Sequence, residues 1–316
     1  MLSFSAPFLT GLLAGLSRTF EEPSDRYPST RCIGRGDLIS LLLELSDQLE
    51  GPVVGVEKRR PSARAMLATL REAGVARPMP VETVSPRWGS EWLWCIGLGI
   101  TPDEVTPPEI LQAIEPSGAL CYQSAIEVHG LTTQLATVHH IARARPTQTK
   151  APGTIAASAA TAVAAPPPLG RPLFNWRGAG YFVTQRDPRY FTDVEHKRIA
   201  QFAWFRVTTL EQTLIDTLHR PGHCGGLDVV FECWESAAPR VDAERLARVV
   251  LLIGDELLKR RVGWMMEQHG VGEGAALDSL RGNGQLTHSN DPSQWPALFG
   301  GMPLDRVDRN WRLRVP

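Results

Sequence analysis

Between Asp37 and Leu49, Leu38, Leu41, Leu42, Leu45 and Leu49 recur at helical spacing, with Glu44, Asp47 and Gln48 among them. That pattern predicts an amphipathic helix, capped by Asp37 and stopped by Gly51 and Pro52. Before it, Pro7 to Leu16 is an apolar run. It is far short of the roughly 20 residues a membrane helix needs, and no Lys or Arg precedes it as a signal peptide would require. The expectation is a short helix packed on the fold of a soluble, cytoplasmic protein. Val53–Val56 reads as a short extended piece. A second helix is expected from Pro61, a residue suited to a first turn, to about Ala73, with Gly74 as its stop. Ala63, Met66, Leu67 and Leu70 form its buried stripe. Val81 to Leu98 carries strand-like residues broken by Pro86 and Gly89, which predicts a β-hairpin.

Further along, a proline-rich turn over Thr101–Pro108 leads into a helix to Ile114. A second turn leads into a helix that Gly130 closes, and Thr137–Ala144 suits a strand. Residues 147–172 are almost entirely Ala, Pro, Thr, Ser and Gly. Such a segment buries little and predicts a flexible insertion or linker. Tyr181–Gln185 and Phe205–Thr208 then read as strands. Helices are expected over Leu210–Leu218, Gly225–Ser236, Val241–Val250 and Asp255–His269. Asn310–Val315 alternates like a closing strand.

Composition narrows the class. In 316 residues, 43% are hydrophobic and 21% charged, values of an ordinary globular protein rather than a coiled coil or a disordered chain. The net charge of −1 leaves no global field toward nucleic acid or membrane, so any nucleic-acid binding must be local. Five cysteines without a C-x-x-C pair argue against a disulfide framework and for reduced thiols.

One local patch exists. Lys58, Arg59, Arg60, Arg64, Arg71 and Arg77 oppose only Glu57 and Glu72 between Val56 and Met79, a net of +4. Arg64 and Arg71 are seven apart, hence on one helix face, and Arg60 extends it by a turn. A short helix, a turn, a small-residue helix with arginines near its start and then a hairpin is the order of a winged helix. In that geometry the second helix enters the major groove, and Lys58, Arg59, Arg60, Ser62, Arg64, Arg71 and Arg77 are the candidate DNA contacts. A merely solvated basic face, or a winged helix used for protein interaction, fits the same pattern.

Other chemistry finds little support. His219, His223, Cys224 and Cys233 match no zinc spacing, so a buried thiol with loop histidines is the expectation. His139 and His140 would face opposite ways on a strand, and His129 suits a helix C-terminus through the dipole. Gly97–Thr101 and Gly270–Gly274 lack the residues of a phosphate loop. No nucleophile elbow, zinc-protease motif or paired carboxylate appears. Neither an enzyme, a cofactor nor a metal is expected.

Two stretches resemble a known family. Ile114–Gln134 contains Ser124, Ala125, His129, Gly130 and Leu131 as a Ser-Ala-x-x-x-His-Gly-Leu run. Phe205–Trp234 contains Glu211, Thr213, Leu214 and Asp216 as Glu-x-Thr-Leu-x-Asp, followed by Pro221 and the pair Gly225–Gly226. Both are similar to AbiEi-type antitoxins of bacterial type IV toxin–antitoxin, abortive-infection systems. Arg260–Gly263 and Trp311–Leu313 are similar to that family's later helix and closing strand. The physical reading of the shared residues is structural: Thr208 or Thr209 caps the helix of Glu211 in a box-like start, and Gly225–Gly226 permits a sharp turn. Asp216 is expected to accept hydrogen bonds from a neighbouring loop.

The resemblance implies an N-terminal winged helix that represses its own operon, and a C-terminal domain that neutralises a nucleotidyltransferase-like toxin without needing a stable complex. The expected fold is α+β: an N-terminal extension (1–35), a winged-helix-like DNA-binding domain (36–100) and a mixed α/β antitoxin domain with a helical C-terminal part (101–316). The implied partners are promoter DNA and the toxin, with no membrane. Two other readings remain: a stand-alone regulator without a toxin, and an interaction subunit whose winged helix no longer touches DNA.

Overall fold

A computed structural model describes residues 4–21, 31–50, 56–83, 91–146, 169–200, 203–282 and 291–316. For Glu21, Glu50, residues 56–62, Thr83, Ile199, Ala200 and Ala203 it describes the backbone alone. The fold is α+β, as expected. The expected insertion at 147–172 lies outside the described residues up to 168; its last residues, Arg171 and Pro172, open a strand. The chain divides into two compact units, Met1–Leu120 with Arg171–Val183 and His196–Arg206, and Cys121–Gly170 with Thr184–Glu195 and Val207–Pro316.

The first unit opens with α1 (Ala6–Glu21), β1 (Cys32–Gly34), α2 (Arg35–Glu50), α3 (Val56–Glu72), β2 (Ala76–Pro78), β3 (Glu82–Thr83) and β4 (Leu93–Ile96). Phe8, Leu12 and Leu16 of α1 are buried with Leu38, Leu41, Leu42 and Leu45 of α2 and with Ala63, Met66, Leu67 and Leu70 of α3. Thus the apolar stripes read from spacing form the core of this unit, except that Leu49, the last leucine of the α2 stripe, is exposed. The two helices α1 and α2 approach closely because α1 carries glycine where a side chain would collide. A Cβ at Gly11 or Gly15 would lie 2.7 or 2.6 Å from Leu49 or Leu45. β4 lies between β1 and β2, antiparallel to both.

Three local expectations are corrected here. Asp37 is not a cap but lies in the first turn of α2, which begins at Arg35. α3 begins at Val56 rather than Pro61, so Val56 is helical and Pro61 sits inside the helix. Proline there removes one early backbone donor, a loss that the rest of a 17-residue helix outweighs. Within 81–98 the described strands do not pair with each other; residues 84–90 lie outside the described residues. β4 pairs with β2, whereas β3 pairs with β7 (Arg171–Trp176), Glu82 opposite Asn175.

α4 (Pro107–Ile114) starts as sequence chemistry dictates: Thr106 and Glu109 form a reciprocal capping box around two prolines in the first turn. Glu109 also receives Arg31, at 2.7 Å to each carboxylate oxygen, which ties α4 to the residue before β1. Burial works against the charge on Glu109, but Arg31 and Thr106 outweigh it and hold the group below the usual carboxylate range.

β5 (Ala119–Cys121), β6 (Val138–Ala144), β7, β8 (Ala179–Arg186), β9 (Val194–Ala200) and β10 (Ala203–Thr208) complete, with β3, a seven-stranded sheet of order β3-β7-β8-β6-β5-β10-β9. The second unit holds α5 (Gln123–His129), α6 (Leu210–His219), α7 (Leu227–Ala237), α8 (Ala243–Ile253), α9 (Glu256–Gln268) and α10 (Ala275–Arg281). Its tail pairs β11 (Arg306–Asp308) with β12 (Leu313–Val315). The closing strand is therefore shorter than Asn310–Val315. Trp311 sits in the preceding turn, fully buried, where a Cβ on Gly263 of α9 would overlap its ring. Around it, Leu214, Leu218, Val230, Trp234, Leu246, Val250, Val262 and Met265 form the second core. Among the described residues no helix is long and apolar enough to cross a membrane.

Candidate functional site

The candidate DNA contacts fall on α3 and β2 of the first unit. Lys58, Arg59, Arg60 and Ser62 lie on the first turns of α3, where the backbone alone is described. Arg64 and Arg71 are exposed, on a face that flanks the buried stripe. Arg64 borders an open cleft of about 710 Å³ with Arg35, Asp37, Glu91 and Trp92. Two arginines there face two carboxylates, so this cleft is not uniformly positive. Arg71 is engaged at that surface: Nη1 lies 3.2 Å from Glu91 Oε1, and the guanidinium sits 5.9 Å from the centre of the Trp94 ring. Arg77 is half-buried on β2, opposite Cys95. The structure thus places Arg64 and Arg71 on one exposed face, with Arg77 off that helix.

The second unit contains a different constellation, built around Asp216. Helix α6 presents Leu214, Ile215 and Leu218 to the core, and Asp216 is buried among them. A carboxylate there needs a cation. It is Arg186, the last residue of β8, whose two terminal nitrogens reach the two carboxylate oxygens at 2.6 and 2.5 Å. Gln212, one turn back on α6, donates to the same carboxylate at 3.0 Å. The partner is therefore a strand arginine and a helical amide, not a neighbouring loop. Arg186 lies 4.9 Å from the Tyr122 ring centre and 5.4 Å from that of Phe191. With side chains 2% and 1% exposed, the pair has no opening to a substrate. Burial raises Asp216 above the ordinary carboxylate range, opposed by the guanidinium and the amide. Its chemistry is that of a clamp between β8 and α6.

The other residues that carry the resemblance do similar work. Ser124 accepts the His140 backbone N–H at 2.8 Å, joining α5 to β6. The His129 ring nitrogen Nε2 lies 2.7 Å from the Thr208 carbonyl oxygen, joining α5 to β10, and its own carbonyl accepts Arg240. The position at the end of α5 was legible, but the tie to Thr208 was not. Gly130 ends α5 in the left-handed region. Thr209 caps α6 by accepting the Gln212 N–H, as expected of one of the two threonines. Glu211 does not close a reciprocal box; it accepts the Asp242 N–H at the start of α8. Thr213 bonds Thr208. Gly225 and Gly226 have φ of +92° and +93°, and a Cβ on Gly225 would lie 2.8 Å from Val229.

Sequence reasoning missed Arg186, Asp193 and Arg245. The signal was available for Arg186, since an Asp on an apolar helix face demands a buried cation. Asp193 receives Arg245 at 2.8 and 2.9 Å and the Thr209 hydroxyl at 2.9 Å, an arrangement distant in sequence that no spacing announces.

Histidines and thiols complete the interior. His140 lies 5.6 Å from Tyr122 and 6.2 Å from His223, and His219 stacks on Tyr190 at 4.2 Å. Burial pushes His140 and His219 down to about 3, and His139 and His223 down to about 4. Cys224 and Cys233 are buried free thiols. Among the described residues no group of three metal-ligating side chains gathers. Gly97–Thr101 and Gly270–Gly274 are loops, as expected.

Comparison with known proteins places a name on part of this chain. Residues 118–267 match the family described as the AbiEi antitoxin C-terminal domain. No curated protein matches the chain. Among solved structures, the chain is similar to the RV2827C protein from Mycobacterium tuberculosis, at 14% identity and a TM-score of 0.49, over 99% of this chain and 92% of that one.

Proposed function

We propose, from the premise that residues 118–267 form an AbiEi antitoxin C-terminal domain, that this chain is a non-enzymatic antitoxin that also represses its own promoter. The family match is the observation that carries the reading. It fits the second unit's interior, where the shared Ser124, His129, Thr213 and Asp216 tie elements together rather than face a substrate. The toxin it counteracts is a nucleotidyltransferase-like enzyme, neutralised without a stable complex.

The promoter half rests on the first unit. The order α1-β1-α2-α3-β2-β4, with β4 hydrogen-bonded between β1 and β2, is compatible with a winged helix. On that reading α3 is the helix that enters the major groove, with the cationic run from Lys58 to Arg64 at its start. Arg71 and Arg77, engaged with Glu91 or half-buried, suit phosphate contacts rather than base reading. A titration of the full chain against its upstream promoter and a scrambled duplex tests this half: the promoter must bind more tightly, with affinity falling steeply as salt rises. Equal and salt-insensitive affinity for both duplexes would remove it. The antitoxin half is tested by growth of toxin-expressing cells with and without the chain.

A further inference from the structure

Two of the five cysteines stand directly opposite one another. In the antiparallel pairing of β1 with β4, Cys32 faces Cys95, Ile33 faces Trp94 and Gly34 faces Leu93. The backbone bonds fix which kind of pair each is. Ile96 N–H donates to Arg31 O at 2.8 Å, and Arg35 N–H donates to Trp92 O at 2.6 Å. Hydrogen-bonded pairs alternate with non-hydrogen-bonded ones along an antiparallel ladder, so Arg31/Ile96, Ile33/Trp94 and Arg35/Trp92 share one class and Cys32/Cys95 the other. Non-hydrogen-bonded partners have Cα atoms roughly 4.5 Å apart and side chains on one face of the sheet, within the span of about 4.4–6.8 Å that a disulfide bridges. The opposite face, with Ile33, Trp94 and Ile96, belongs to the core shared with α1, α2 and α3. The two cysteines are thus together and apart from that core, both buried and neither in a disulfide.

We propose that Cys32 and Cys95 are a redox-modifiable pair that closes into an intramolecular disulfide between β1 and β4. With glutathione disulfide as oxidant, one cysteine thiolate attacks a glutathione sulfur, breaking that S–S bond and releasing one glutathione thiolate. The second cysteine thiolate then attacks the cysteine sulfur of the mixed disulfide and releases the other. The two thiols lose two protons and two electrons, and glutathione disulfide gains them as two thiols. The bond would close the chain from Cys32 to Cys95 into a loop containing α2 and α3, and would fasten β1, the edge strand of its sheet, at its own base. A cross-link of this kind restricts the unfolded chain and stabilises the unit. Burial raises the Cys95 thiol, which slows attack at neutral pH and makes closure faster as pH rises. The linkage does not depend on whether the unit reads DNA.

The test uses the full reduced chain at pH 8.5, treated with glutathione disulfide both as folded and during refolding from urea, so that access to the buried sulfurs does not decide the outcome. After acid quench and alkylation, peptide mapping should show Cys32 joined to Cys95 and alkylation of Cys121, Cys224 and Cys233. Dithiothreitol should restore five alkylated thiols. The thermal midpoint of the oxidised chain should rise by several degrees, and the rise should be absent in Cys32→Ser. Alkylation of all five cysteines in both arms overturns the proposal. So does persistent glutathione on Cys32 or Cys95, or a cross-link that uses any of the other three cysteines. The mapping is made on the unaltered chain, so the result stands even if Cys32→Ser fails to fold.

Discussion

Asp216 and Arg186 show how one buried charge constrains its surroundings. Neither is solvated, each supplies the other's countercharge, and Gln212 fills a further bond of the carboxylate. Removing the charge by Asp216→Asn leaves Arg186 buried beside Tyr122 and Phe191 without a counterion, which costs about 3–5 kcal/mol. A urea unfolding midpoint will show it as a large fall. Replacing both partners together, Asp216→Leu with Arg186→Met, should recover most of that loss, since an apolar pair of similar volume has no desolvation to offset. An Asp216→Asn protein with an unchanged midpoint but no antitoxin activity would point instead to a functional carboxylate. Gly225 is the second single-residue test. At φ +92° with Val229 against its Cβ position, Gly225→Val should lower the thermal midpoint, a strained left-handed residue costing about 1–3 kcal/mol before any clash is counted. The cap at Thr209 was legible and the one expected at Asp37 was not there; a buried ion pair is half-legible. Asp216 on an apolar face announced the need for a cation, but nothing local to it named a residue thirty positions earlier.

At the scale of elements, helical stripes were readable and short strands were not. The stripe Ala63, Met66, Leu67 and Leu70 is buried in α3 as its spacing indicated, because a helix must turn one face to the core whatever surrounds it. β1, β2 and β5 span three residues each, and β3 two, too few for any alternation to register. β7, β9 and α10 also escaped, each defined by what it pairs or packs with more than by its own pattern. Nearness in sequence suggests a hairpin of β3 with β4, whereas β3 bonds β7 just over ninety residues on. The DNA prediction belongs to α3. Replacing Arg60 and Arg64 with Ala should weaken promoter binding by about 1–3 kcal/mol for each arginine that reads a base. If these residues touch phosphates instead, affinity should fall on promoter and scrambled DNA alike and the salt slope should shrink. Anisotropy titrations at two salt concentrations distinguish the cases, and unchanged binding in the double variant would exclude α3 as the reader.

For the molecule as a whole, the chain order hides the architecture. Each compact unit takes in three separate stretches of sequence, a pattern that composition cannot reveal because the returning strands are neither unusual nor repeated. Ser124, His129, Gly130, Thr213 and Asp216, which carry the family resemblance, each lie at a junction between elements. Acid stability is a property of the whole second core. His139, His140, His219 and His223 resist protonation when folded, at about 4, 3, 3 and 4, against 6.5 for an unburied histidine. Between those limits the unfolded chain binds protons that the folded chain does not, so stability rises with pH there. The urea midpoint should therefore fall as pH drops from about 6.5 toward 4, and should be nearly flat just above 7; an unchanged midpoint from pH 7 to 5 would contradict the buried neutral rings.

The proposed function joins promoter binding and toxin neutralisation in one chain, and one growth measurement tests that most directly. Cells arrested by a nucleotidyltransferase-like toxin of the kind the proposal names are supplied with the full chain from an unrelated promoter, either unaltered or with Arg60 and Arg64 replaced by Ala. Both forms should restore growth equally, since the proposal assigns neutralisation to the second unit and the unrelated promoter removes any need for the first. Continued growth arrest with the unaltered chain present, folded and abundant, would contradict the antitoxin reading.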